Sequence, residues 1–192
     1  MIRQCAMKTT VIIPNYNGLS YLKACLRSLA AQTVSYALIV VDNGSDDGSA
    51  EYLQSAGFAS AFPQAETLLL PENTGFCYAV NAGAAKADTP YLFLLNNDTE
   101  LAPDCVERLE RTMERAENTF SVAAKMLSLR EPARLDGAGD LYCALGWAFP
   151  MRMSCRLVFT DGIMISLPMC AAIPECLPLW AARTAWQIFA AG

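Results

Sequence analysis

The chain has 192 residues, 54% hydrophobic and 17% charged, which suffices for one domain with a sizeable core and is too apolar for disorder. Its formal net charge of −5 excludes the basic stripe of a nucleic-acid surface, so no nucleic-acid partner is expected. Histidine is absent, which removes Ser-His-Asp and Cys-His chemistry and His-ligated zinc and leaves acid–base work to Asp, Glu, Lys, Tyr or Cys.

Met1 to Ala6 lacks a long apolar stretch and does not read as a signal peptide; residues 1–7 read as a leader. Thr9 to Ile13 reads as a short buried strand halted by Pro14, with Asn15-Tyr16-Asn17-Gly18 as a turn. Leu19, Leu22, Leu26 and Leu29 recur at helical spacing and predict a helix to Ala31. Tyr36 to Val41 is a second strand, after which Ser45-Asp46-Asp47 offers capping chemistry for a helix to about Ser55. Glu66 to Leu70 is a third strand closed by Pro71, and Asn73-Thr74-Gly75 leads into an alanine-rich helix ending near Ala87. Tyr91 to Leu95 is a fourth strand. Ala102 to Glu117 is an amphipathic helix with Pro103 at its start, where proline is tolerated, and Phe120 to Leu127 is a fifth strand.

This alternation with short connections predicts an α/β domain over residues 8–127, built on a mostly parallel sheet with right-handed crossovers. Residues 128–149 hold the Gly-rich loop Asp136-Gly137-Ala138-Gly139-Asp140, whose acids either meet a second substrate or form a surface turn. Residues 150–192 form an atypical, irregular tail: Met and Cys crowd together, lysine is absent, and Pro168, Pro174 and Pro178 interrupt every helix. Ile163 to Ala182 is apolar and near spanning length, but its three prolines and Glu175 argue against a membrane span. The eight cysteines are scattered without a C-x-x-C pair, so they read mostly as buried, reduced thiols in a cytoplasmic protein.

Two strands end in acids. The run Ala37 to Val41 delivers Asp42-Asn43-Gly44-Ser45, and the run Tyr91 to Leu95 delivers Asn96-Asn97-Asp98-Thr99-Glu100. In parallel α/β sheets ligands sit at the carboxyl ends of strands. Asp42 can accept hydrogen bonds from a uracil-like or thymine-like base or a ribose; the bland alternative is that Asp42 and Ser45 organise the turn. Asn97-Asp98 is the metal candidate, because one carboxylate with phosphate oxygens and water is an ordinary Mg²⁺ or Mn²⁺ shell; Asp98 or Thr99 could also cap the next helix. Gly75 in Glu72-Asn73-Thr74-Gly75-Phe76 lets backbone approach a ligand at a helix start, although such a segment is also ordinary loop sequence. No G-x-G-x-x-G fingerprint is present, which counts against a dinucleotide oxidoreductase.

Val11 to Gly18, Val40 to Ser49, Glu72 to Phe76 and Leu95 to Thr99, in that order and with those gaps, resemble the family 2 glycosyltransferases, nearest to the rhamnosyltransferase-like branch that builds surface polysaccharide. The resemblance covers residues 7 to about 149. It implies a GT-A (Rossmann-like) fold, a UDP- or dTDP-sugar donor, and transfer to a glycan or lipid-linked acceptor by direct displacement with inversion. It implies that Pro14, Asn15, Tyr16, Asn17 and Asp42 hold the nucleoside, that Asn73, Gly75 and Asn97 line the nucleotide pocket, and that Asp98 holds Mg²⁺ or Mn²⁺ on the diphosphate. Because such enzymes often serve lipid-linked acceptors, peripheral attachment at the inner face of a membrane is a further expectation.

The family's acceptor-side acid, typically a Glu-Asp pair before a helix, has no counterpart: beyond Asp140 the acids are Asp161 and Glu175, and neither is paired. The catalytic base is therefore unassigned. A truncated or frameshifted gene after about residue 149 is the expectation, with impaired transfer. The alternative is a non-catalytic nucleotide-sugar-binding remnant. A sugar nucleotidyltransferase would carry a basic Gly-rich loop after the first strand, where Pro14-Asn15-Tyr16-Asn17 stands instead.

Overall fold

The computed structural model describes residues 7–115 and 121–129 in full, and the backbone of residues 135–137, 140–142, 148–150, 163–166 and 187–190. In chain order the first elements are β1 (Thr9–Asn15), α1 (Leu19–Ala30), β2 (Ala37–Asn43), α2 (Ser49–Leu53), α3 (Ala56–Ala61) and β3 (Glu66–Leu70). They are followed by α4 (Phe76–Ala84), β4 (Tyr91–Leu94), α5 (Cys105–Arg115), β5 (Ser121–Ala124) and β6 (Met126–Leu127). Short strands β7 (Leu135–Gly137), β8 (Asp140–Tyr142), β9 (Ala148–Pro150), β10 (Ile163–Ser166) and β11 (Gln187–Ala190) complete the described backbone.

Seven strands form one sheet in the order β10-β5-β11-β4-β1-β2-β3. β1 pairs parallel with both β2 and β4, and β2 pairs parallel with β3. β11 lies antiparallel between β4 and β5, and β10 pairs antiparallel with the far side of β5. The chain thus winds from β1 outward to β3 and returns to lay β4 on the other side of β1. The reversal of direction between β1 and β4 is a topological switch point, where α/β sheets open a crevice at their carboxyl edge.

Period-two alternation sorts the core into two layers. Val11 and Ile13, Leu38 and Val40, and Phe93 and Leu95 face one side and pack with Leu22, Leu26 and Leu29 of α1 and with Val106, Leu109 and Met113 of α5. Ile12, Ile39, Val41 and Leu94 face the other side and pack with Ala79 and Val80 of α4. Helix α4 sits tight on the sheet at Gly83, where a Cβ would stand 2.6 Å from Ile12 Cγ2. The helical stripes predicted as core are core, with Leu19 only half-buried.

Several predicted boundaries move. The first strand does not stop at Pro14 but runs to Asn15. Ile12 and Pro14 direct their backbone toward β4, whose pairing ends at Ile12 with Leu94, so the N–H that proline lacks leaves no ladder bond unmade. The helix expected from Ser45 to about Ser55 spans only Ser49–Leu53, as α2, and an unpredicted helix, α3, follows it, capped by the Ser55 hydroxyl, which accepts from Phe58 N. The last helix begins at Cys105 rather than Ala102, and the strand expected over 120–127 is split into β5 and β6. Within the stretch from residue 150, Pro150 ends β9 and both β10 and β11 join the sheet; the rest of that stretch, with Cys155, Cys170, Cys176 and most of Ile163 to Ala182, lies outside the described residues. Among the described residues no helix is long and apolar enough to cross a membrane.

Candidate functional site

The site is built on the carboxyl ends of β2, β1 and β4. Asn15 stands in register opposite Asp42 at the ends of their strands. Its side-chain Nδ2 donates to Asp42 Oδ1 at 2.8 Å, and its Oδ1 accepts from Asn97 Nδ2 at 2.7 Å. One hydrogen-bonded line therefore crosses three strand ends and the switch point. Adjacent strands were the natural expectation for Asp42 and Asp98, and it fails: β1 lies between β2 and β4, and Asn15 of β1 fills the interval. The cause is strand order, since the crossover through α4 carries the chain past β1 before β4 forms.

Asp42 is 1% exposed and accepts three hydrogen bonds, from Asn15 Nδ2, from the Ser45 hydroxyl at 2.7 Å and from Ser45 N at 3.0 Å. The Ser45 hydroxyl in turn accepts from Asn17 N at 3.0 Å, and Asn17 Oδ1 accepts from Asp46 N at 2.9 Å. Asp42 and Ser45 thus organise the turn, and the first side chains a ligand would meet here are the exposed Tyr16 and Asn17. The expected cap, Ser45-Asp46-Asp47, works differently. Asp47 accepts from Ser49 N and the Ser49 hydroxyl at the start of α2, and from Leu19 N at 2.8 Å at the start of α1, whose own N-cap is a glycine. Burial opposes its ionisation, but the bonds from Ser49 and Leu19 prevail and hold the Asp47 carboxyl below its ordinary range.

On the β3 side the organiser is Asn43, which the sequence reading passed over. It is 4% exposed. Its Nδ2 donates to Asn73 Oδ1 and Gly75 O, while its Oδ1 accepts from Thr74 N and the Thr74 hydroxyl. Gly75 N donates to Asn73 Oδ1. The N–H groups of residues 74 and 75 are therefore used within the loop, and the donors left at the start of α4 are those of Phe76, Cys77 and Tyr78, which have no partner among the described residues. Gly75 has φ +85° and ψ 162° with nothing within 4 Å of an added Cβ, so it is required by its backbone and open to approach. Gly44, at φ +72°, would place a Cβ 2.6 Å from the Glu72 carbonyl carbon, so the two loops touch there.

On the β4 side, the turn Asn96 to Thr99 is closed by the Thr99 hydroxyl donating to Asn96 O at 2.7 Å, which replaces the capping role expected of it. The buried Cys25 thiol also reaches Asn96 O. Asp98 is exposed, and its carboxylate makes no hydrogen bond or ion pair among the described residues. Among those residues no group of three or more Asp, Glu, Cys or His side chains could hold a metal. A lone, uncommitted, hard carboxylate fits a cation that brings phosphate oxygens and water as its other ligands, not a closed protein cage. Asp136 and Asp140 fall in β7 and β8, whose side chains lie outside the described residues.

The sequence model of the family described as Glycosyl transferase family 2 matches residues 10–169. The chain is 33% identical over 102 residues to glycosyltransferase AglE of Haloferax volcanii, covering 52% of this chain and 33% of that protein. It spans about a third of the length of such relatives. Its fold is similar to that of S. aureus TarS 1–349 in complex with UDP-GlcNAc, with a TM-score of 0.56, 20% identity and coverage of 69% of this chain and 36% of that one. The mannosyltransferase PcManGT of Pyrobaculum calidifontis, in complex with GDP-Man and Mn²⁺, gives a TM-score of 0.56 at 20% identity, covering 66% and 37%. These likenesses show the GT-A fold.

Proposed function

Because this chain belongs to glycosyl transferase family 2, we propose that its α/β domain, residues 8–127, is the donor-binding part of an enzyme that moves a sugar from a nucleoside diphosphate to an acceptor hydroxyl, with inversion. The observation that carries this reading is the line Asp42–Asn15–Asn97, which ties the turn after β1 and the segment carrying an uncommitted carboxylate to one sheet edge. UDP- and dTDP-sugars are the donors to try first; the UDP-GlcNAc and GDP-Man complexes of the two structural neighbours support a nucleotide-sugar here.

In this reading Pro14, Asn15, Tyr16, Asn17 and Asp42 shape the nucleoside pocket. Asn73, Gly75 and the first turn of α4 face the nucleotide, and Asn97 with Asp98 faces the diphosphate. Asp98 would hold Mg²⁺ or Mn²⁺, and the Mn²⁺ of the mannosyltransferase neighbour supports that choice. The bound cation would offset the charge that develops on the departing nucleoside diphosphate. The acceptor is a glycan or a lipid-linked sugar of surface polysaccharide, in the manner of the rhamnosyltransferase-like branch, met in the cytoplasm or at the inner face of a membrane.

The base that deprotonates the acceptor is unassigned, since Asp161 and Glu175 stand alone and no Glu-Asp pair follows Asp140. This chain by itself is therefore proposed to bind donor and to transfer weakly, or to act as a binding remnant with no turnover. Titration of UDP- and dTDP-sugars with and without Mn²⁺, followed by a transfer assay, tests both statements. Absence of any nucleotide-sugar binding would overturn the function; binding without turnover selects the remnant.

A further inference from the structure

We propose that Asn15 is a positioning residue that relays polarity from Asp42 to the cation loop, so that Asp42 governs which atom Asn97 presents beside Asp98. The inference rests on the donor-site reading above. Its basis is the direction of each hydrogen bond. Ser45 N can only donate, so Asp42 Oδ2 accepts at 3.0 Å. The Asp42 carboxylate likewise accepts at Oδ1, which obliges Asn15 to present Nδ2 to it at 2.8 Å. The oxygen of the Asn15 amide then faces Asn97, which must present its own Nδ2 at 2.7 Å. What remains on Asn97 is Oδ1, which accepts no hydrogen bond among the described residues. Gly18 permits the arrangement, because a Cβ there would stand 2.2 Å from Asn97 Nδ2. An amide's two ends are nearly the same shape and opposite in polarity, so the relay specifies chemistry without moving an atom's position.

A cation and the hydrogens of its water shell both call for oxygen. With Asp42 in place, Asn97, which directly precedes Asp98 in the chain, has an oxygen left to supply. Asp42→Asn is isosteric; its oxygen stays on Ser45 N, which can only donate, while the Ser45 hydroxyl that donates to Oδ1 at 2.7 Å can rotate and accept instead, so the variant turns NH₂ toward Asn15. Asn15 then turns over, Asn97 follows, and an NH₂ group replaces the oxygen offered to the cation. Asn97→Asp restores an oxygen in that background, because the new carboxylate accepts from the reversed Asn15 and still has a second oxygen. In the wild-type background the same substitution sets oxygen against oxygen at Asn15.

The test uses the full chain with Mn²⁺ and pyrophosphate, a diphosphate without a base, so that direct contacts of Asp42 with a nucleoside do not enter. Bound Mn²⁺ is read by electron paramagnetic resonance, and folding is checked by circular dichroism. Asp42→Asn is expected to weaken binding about tenfold, the size seen when partners of metal ligands are removed. Asn97→Asp should improve binding several-fold more in the Asp42→Asn background than in the wild type, a non-additive cycle. If Asp42→Asn does not fold, Asn15→Ala carries the test, with the same loss expected. Equal effects of Asn97→Asp in both backgrounds, or unchanged affinity in Asp42→Asn or Asn15→Ala, overturn the relay alone. A wild-type chain that binds no Mn²⁺–pyrophosphate overturns the relay and the donor site together.

Discussion

Asn43 and Thr74 are joined twice: the Asn43 side-chain oxygen accepts from both the backbone N–H and the hydroxyl of Thr74, at 2.9 Å each. The same buried amide donates to Asn73 and Gly75, so one side chain at the end of β2 holds the entire loop that precedes α4. Asn43→Ala breaks all four bonds and is expected to lower stability by about 1–3 kcal/mol, since a removed partner strands buried polar groups. Asn43→Asp keeps both bonds from Thr74 and loses both donations. With a buried carboxylate oxygen set against Asn73 Oδ1 and Gly75 O, its stability should fall at least as far as that of Asn43→Ala, and its affinity for a nucleoside diphosphate should fall with it. Urea unfolding and nucleotide titration of the three proteins check the order; an Asn43→Asp protein that binds like wild type would separate this loop from the nucleotide.

Gly44 and Gly75 predict a second contrast. Both have positive φ, so alanine at either strains the backbone by about 1–3 kcal/mol. At Gly75 that is the whole penalty, because the space above it is open. At Gly44 the new methyl also meets the backbone of Glu72 and Asn73, and backbone cannot swing aside. Gly44→Ala should therefore melt lower than Gly75→Ala, whereas Gly75→Ala should lose more nucleotide affinity per degree of melting temperature lost. Differential scanning fluorimetry with and without UDP measures both quantities.

What the sequence made legible follows from periodicity. Strands β1 to β4 and helices α1, α4 and α5 were readable because apolar residues alternate at two or recur at three to four, and the core follows the same residues. Both acids at strand ends were likewise visible. Strand order was not: nothing local to Asp42 or Asp98 announces that β1 lies between them. Asn43 was missed because Asp42-Asn43-Gly44-Ser45 has turn composition, which hides that β2 continues for two residues and buries the amide. Asp47 looked like a cap for its own helix, and its second role on Leu19 of α1 depends on a contact between loops 28 residues apart.

Asp98 gives a prediction on metal removal. Its carboxylate has no hydrogen bond or ion pair among the described residues, so Asp98→Asn should leave the melting temperature in EDTA unchanged. With Mn²⁺ and UDP present at 100 times their dissociation constant, the wild type should gain about 2.7 kcal/mol by mass action, and Asp98→Asn should lose most of that gain. Thermal shifts in the four conditions decide it. A variant that keeps the Mn²⁺-dependent shift would move the cation away from this turn.

Cys25 sets a prediction at alkaline pH. Burial among Leu22, Leu26 and Leu29 pushes its thiol up to about 12 from 9.0, with the nearby Asp98 and Glu100 charges adding to the rise and the Thr99 hydrogen bond opposing it. The folded chain therefore keeps the proton while the unfolded chain releases it above pH 9. A folded value above the unfolded one gives stability that is complete below the unfolded value and lost as pH rises through the folded one, so the affected window is pH 9 to 12. Burial raises Tyr36 to about 12 and Cys105 to about 11, in the same direction. Cys25→Ala removes one of these contributions and should flatten the fall, although a smaller side chain lowers stability at pH 7. Urea unfolding of both proteins between pH 7 and 11 gives the two slopes. Parallel slopes would mean that Cys25 gives up its proton as readily in the folded chain as in the unfolded one, near 9.0 rather than about 12.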